Sequence, residues 1–156
     1  MPQIGEKDYY DGAMERIDES SRLLLQGDFL AGSVYLAGRA VECMFRALLW
    51  KSDSSYCSGR KSLATGHDLR ELLEEVTNMG LLPDRDDKVF GLVSMVAGQW
   101  SNNMRFVPRR WVESYWRSIG VVTIKHTMKR ASKEFYEMCV LIIQRCEKLY
   151  GNADKK

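Results

Sequence analysis

One segment limits the fold more than any other. Residues 28–51 are apolar over most of a helical circumference, and between Phe29 and Trp50 the only charges are Arg39, Glu42 and Arg46. A helix that is hydrophobic nearly all round has to be covered by other elements on most of its sides. The segment therefore predicts the central helix of a helix-on-helix fold. Gly32 and Gly38 lie inside it, each costing up to ~1 kcal/mol relative to alanine, which implies close approach of neighbouring helices at those points.

The same charges argue against a membrane span, which needs about 20 predominantly apolar residues. Residues 1–11 lack a basic n-region followed by an apolar h-region, so the chain reads as soluble, cytoplasmic and not secreted by that route. At 156 residues it is long enough to bury one core unaided and short for two domains. A single domain over residues 1–156 is expected, ordered from about 8 to 150, with a frayed tail over 151–156.

Further helices follow from apolar spacing. Tyr9, Ala13, Ile17 and Leu24 mark a first helix over 8–26, with Gly27 as its stop and Asp28 as the next N-cap. The polar run after Lys51, broken by Gly59, reads as a loop. Thr65 and Asp68 have capping-box spacing ahead of Leu69, Leu72, Leu73, Val76 and Met79, placing His67 in the first turn of a third helix. Gly80 ends that helix, and Pro83 with Asp84 opens a fourth whose buried line is Val89, Val93, Val96 and Trp100. Residues 102–108 break the pattern, a short helix spans 109–117, and Gly120 interrupts again. A last long helix begins after Thr123 and runs to about Tyr150. Strand alternation is absent apart from residues 121–124. The expected fold is an all-α, up-and-down bundle of four to five helices.

Charge is segregated along this frame. Between Arg105 and Lys133 eight basic residues face Glu113 alone, a net +7 that leaves −5 for the remainder. Such a stretch suits a polyanionic or acidic partner. Four cysteines (Cys43, Cys57, Cys139, Cys146) form no CxxC and no metal-type cluster with histidine, so reduced thiols are expected, with no metal and no cofactor.

Particular residues go further. The run Tyr35-Leu-Ala-Gly-Arg-Ala-Val-Glu-Cys43 followed by Arg46-Ala-Leu-Leu49 resembles a characteristic helix of prokaryotic HEPN-type domains. Ala13 to Ile17 resembles that family's first helix, Gly66 to Leu69 its Gly-His-Asp-Leu, and Trp100 with Arg105-Phe106 its Trp followed by Arg-aromatic. The resemblance spans roughly residues 9–150. It implies a bundle that often dimerises, and either of two kinds of activity. Some members are metal-independent RNases of toxin–antitoxin and phage-defence systems; others are non-catalytic and bind nucleotides or accompany a nucleotidyltransferase.

For a nuclease, the resemblance implies an Arg, four to six residues, and a His on one helical face, and Arg60 and His67 match that count. Gly59, Thr65 and Gly66 put Arg60 in a loop, however, and Lys61 follows it where the family carries a polar residue. The reading preferred here is therefore a non-catalytic module, with catalysis by Arg60 and His67 as the alternative. Arg39, Glu42 and Arg46 fall on one helical stripe, either as a solvated i, i+4 pair or as a buried network in which Glu42 neutralises Arg105.

The segment from Arg105 to Arg117 interleaves Arg105, Arg109, Arg110 and Arg117 with Trp111, Tyr115 and Trp116. Arginines suit phosphates, and exposed aromatic rings stack bases; the same aromatics serve equally to cover the bundle. Lys125, Lys129 and Lys133 would extend the positive field. RNA, a nucleotide or an acidic protein is the ligand expected there.

Overall fold

The computed structural model describes residues 4–56, 67–82 and 88–152. Among these residues the chain forms α1 (Glu6–Gln26), α2 (Leu30–Ser52), α3 (Leu69–Asn78), α4 (Lys88–Gln99), a 3-10 helix (Asn102–Phe106), α5 (Arg109–Ser118) and α6 (Met128–Asn152), and no strand. The short apolar stretch at 121–124 is a bend in which Val122 is buried.

The bundle is organised around α2. Ala37, Ala40, Val41, Met44, Phe45 and Ala47 of this helix have no exposed surface, as its all-round apolar character requires. α1 folds back on it after a three-residue turn at Gly27, so the two run antiparallel, and Tyr9 near the start of α1 meets Trp50 near the end of α2, ring centroids 6.0 Å apart. Ser20 and Ser33 fix this crossing. Each hydroxyl donates to the other residue's carbonyl at 2.9 Å, so two buried polar side chains are satisfied without water. α6 covers a second side of α2 with Phe135, Cys139, Ile142 and Cys146. Tyr10 stacks on Tyr150 at 4.6 Å and closes the α1–α6 seam.

The stops expected at Gly27, Gly80 and Gly120 all adopt left-handed backbone, with φ of 77°, 70° and 77°, where a side chain is disfavoured. Several starts differ. α2 begins after Phe29 rather than after an Asp28 cap. Asp68 is itself the N-cap of α3, its carboxylate accepting from the Arg70 amide at 2.8 Å. His67 consequently lies just outside the helix, not in its first turn. α6 starts at Met128, because residues 123–126 close a separate turn: the Thr123 amide donates to the His126 carbonyl at 2.9 Å. The expected opening of the fourth helix at Pro83 and Asp84 falls outside the described residues, as do Arg60, Lys61 and Cys57.

Close approach at Gly38 is confirmed. A Cβ built there would lie 2.3 Å from Trp100 Nε1, and that indole donates to the Tyr35 carbonyl at 3.1 Å. The absence of a side chain lets the end of α4 settle onto α2. Cys139 and Cys146 are buried and Cys43 half-buried; burial pushes the Cys139 thiol well above its ordinary pKa. No helix among the described residues is long and apolar enough to cross a membrane.

Candidate functional site

The polar stripe of α2 is a buried network. Glu42 is 1% exposed, and its carboxylate takes Arg39 Nη1 on Oε2 and Arg46 Nε on Oε1, the latter at 3.0 Å. The i, i+3 and i, i+4 spacings bring all three side chains to one face. The third partner arrives from the turn just ahead of α3. His67 Nδ1 lies 2.8 Å from Glu42 Oε1 and 3.0 Å from Arg39 Nη1.

The proton at Nδ1 follows from its neighbours. A guanidinium only donates and a carboxylate only accepts, so Nδ1 can serve one of them at a time. The shorter contact is to Glu42, and a bare Nδ1 there would set two lone pairs against each other at 2.8 Å. Nδ1–H therefore donates to Glu42, which leaves Nε2 as the free ring nitrogen on a side chain 45% exposed. Burial alone would lower the Arg39 pKa, and the adjacent Glu42 carboxylate, with Cys43 and Tyr35 beside it, outweighs this and holds it above its ordinary value. Two guanidiniums on one carboxylate leave the cluster with a net positive charge.

The expected Glu42–Arg105 pair does not form. Arg105 is exposed and lies over the Phe106 ring, 4.3 Å from its centroid. The 3-10 helix turns this end of the segment outward, so the carboxylate finds its partners in Arg39 and Arg46 on α2 and in His67 just ahead of α3.

His67 also opens onto a cleft of about 320 Å³, walled by Asp68, Arg70, Trp100, Ser101, Asn102 and Asn103. Ser101 caps the 3-10 helix through the Asn103 amide at 3.3 Å. Asn102 Oδ1 is buried with no hydrogen-bond partner among the described residues. These polar residues drew no notice from the sequence, because their function as a wall depends on Trp100 seating against Gly38.

The same 3-10 helix leads from the cleft to the basic segment. Its far end carries Arg105 and Phe106, the latter 71% exposed, and α5 follows with Arg109, Arg110 and Trp111, all exposed. Trp111 is 46% exposed and stacks on Tyr115 at 5.7 Å. Arg117 is exposed and pairs with Glu113 at 2.8 Å.

The aromatics divide between two jobs. Trp116 has no exposed surface; it packs on Phe135 and donates through Nε1 to the Gln99 carbonyl at 2.8 Å. Its place in a binding surface is thus corrected to the core. Half-buried Tyr115 donates its hydroxyl to the Gly98 carbonyl at 2.8 Å. Together they satisfy carbonyls in the last turn of α4, which have no partner within their own helix. Lys125, Lys129 and Lys133 are exposed, on or just ahead of α6. Among the described residues no group of three or more His, Cys, Asp or Glu side chains is placed to hold a metal ion.

No family model, no curated protein and no solved structure matches this chain.

Proposed function

We propose that the chain is a non-catalytic, up-and-down helical module of HEPN type, which binds single-stranded RNA or a nucleotide through the surface from Arg105 to Arg117. The reading includes a homodimer and a toxin–antitoxin or phage-defence setting, with a cognate protein such as a nucleotidyltransferase as companion. One observation carries it: the Trp111 ring stands nearly half exposed on its Tyr115 backing, with exposed Arg109 and Arg110 just ahead of it on α5 and exposed Arg105 on the preceding 3-10 helix. A base stacked on such a ring gains ~1–3 kcal/mol, while the arginines hold phosphates.

Helix electrostatics support the same reading. α5 opens on Arg109-Arg110 with no acid in its first turn, placing two cations at the positive end of the helix dipole at ~0.3–1 kcal/mol each. A polyanion relieves that repulsion. Two pairs from the HEPN resemblance also meet, Glu42 on α2 with His67 just ahead of α3, and Trp100 with Gly38.

Fluorescence anisotropy with a labelled single-stranded RNA at low and high salt tests the proposal. Trp111→Ala is expected to weaken binding about tenfold with the unfolding midpoint unchanged, since the ring lies outside the core. No affinity at low salt for the wild type would remove the reading.

A metal-independent endoribonuclease is the second reading, favoured by the 2.8 Å contact of Glu42 with His67. That bond orients the ring and presents Nε2 for proton transfer, with Arg39 at hand for a phosphate and Arg60 as the matching arginine of the family motif. RNA cleavage that persists in EDTA and disappears in His67→Ala would establish it in place of the first. Equal RNA stability with both proteins would discard it.

A further inference from the structure

We propose that the groove between the end of α1 and the start of α6 docks an acidic amphipathic helix of a protein partner, at a surface separate from the RNA-binding one. The groove encloses about 570 Å³. Its apolar lining comes from Leu24, Leu25 and Tyr136, and its basic lining from Lys129, Arg130 and Lys133. Leu25 is 83% exposed, a leucine standing almost wholly in water. The segments leading to the two walls add Phe29, 58% exposed, and Ile124, 97% exposed.

Charge complementarity names the occupant. Arg130 and Lys133 touch Glu134 and Glu137 at 3.1 and 3.7 Å, exposed i, i+4 contacts that hold the cations only weakly. Lys129 meets no carboxylate among the described residues, and of the residues lining the groove Glu137 alone is acidic. The cations also sit in the first turns of a 25-residue helix, with no acid in its opening turn, where the dipole opposes them. Carboxylates arriving from outside would meet Lys129 directly and compete for Arg130 and Lys133, whose exposed pairs hold them only weakly.

The apolar lining selects a helix over a nucleic acid. Two of its three side chains are leucines, which offer no π-face for a base. A trough between two helices takes a third through side chains at i, i+3 or i+4, and i+7, the usual mode of helix-in-groove recognition. Leucine-type anchors would cover Leu25 while glutamates flanking them reach Lys129 and Lys133.

The probe is a synthetic amphipathic helix with leucines at i, i+3, i+4 and i+7 and glutamates elsewhere, titrated against the full chain. Its counterpart with lysines in place of the glutamates, a single-stranded RNA, and vesicles containing anionic lipid serve as comparisons. Saturable binding of the acidic peptide is expected, weakened about tenfold by Leu25→Ser and at least as much by Lys129→Glu with Lys133→Glu. Trp111→Ala should leave it unchanged, which separates failure here from failure of the RNA reading. The proposal is overturned by no binding at low salt or by binding that survives Leu25→Ser. It is equally overturned by Leu25-dependent binding of the RNA or the vesicles in place of the peptide, or by a wild-type dimer that Leu25→Ser dissociates, which would make a second copy the occupant.

Discussion

Glu42→Ala is expected to lower stability by about 3 kcal/mol, read as a shift in the urea midpoint at unchanged m-value. The carboxylate is 1% exposed and gathers Arg39, Arg46 and His67. Removing it leaves the charge of Arg46, a side chain 8% exposed, in the core without its carboxylate, and an uncompensated buried charge costs far more than the pair itself contributes. The figure sits at the low end of the usual range for two reasons. Arg39 is 26% exposed and can reach water, and Arg46 keeps contacts besides Glu42. Glu42→Gln, which preserves shape and an acceptor oxygen, is expected to cost less. A loss below about 1 kcal/mol for the alanine variant would mean that the arginines turn outward freely, and that the network does not hold His67 in place.

How far this network was legible depends on distance along the chain. Arg39, Glu42 and Arg46 share a face because helical spacing is local, and three charges on an otherwise apolar helix must be paired. The identity of the outside partner is a tertiary matter. Arg105 and His67 are both distant in sequence, and only the turn of the 3-10 helix decides that Arg105 goes to Phe106. Helix existence followed from apolar spacing for α1, α3, α4 and α6 and from all-round apolar character for α2, whereas the 3-10 helix lies in a stretch where the pattern breaks, and the starts of α2, α3 and α6 shifted by a few residues. Asp68 lies three residues after Thr65 and makes the cap of α3.

The aromatics of α5 show a finer ambiguity. Val112 with Trp116, and Trp111 with Tyr115, are both i, i+4 pairs on neighbouring faces, and either can face a core. The first pair is buried and the second half-exposed. Trp111 stands beside Arg110 and Tyr115 keeps a hydroxyl, while Val112 has no polar atom to spare. That difference was available in the sequence, but its weight depends on where the last turn of α4 leaves carbonyls to be satisfied.

Gly38 supplies the other large effect, and it links the core to the candidate site. Gly38→Ala would raise intrinsic helix propensity by up to ~1 kcal/mol, yet the new Cβ would fall 2.3 Å from the Trp100 indole, so the ring has to leave its seat. The Trp100 bond to the Tyr35 carbonyl goes with it. The net expectation is a loss of about 2 kcal/mol, within the range for overpacking a core, against about 3–5 kcal/mol for Trp100→Ala.

The double variant is the decisive measurement. Once the indole is gone the alanine clashes with nothing from Trp100 and keeps its propensity gain, so Gly38→Ala in the Trp100→Ala background should be neutral or stabilising, with coupling of about 2–3 kcal/mol. Strict additivity would mean that the glycine is needed for something other than the tryptophan. Because Trp100 directly precedes Ser101, Asn102 and Asn103, the same displacement should loosen the cleft wall facing His67. Faster amide exchange at residues 101–103 in Gly38→Ala, with exchange in α1 unchanged, would show that a single missing side chain on the central helix holds the fold and the cleft together.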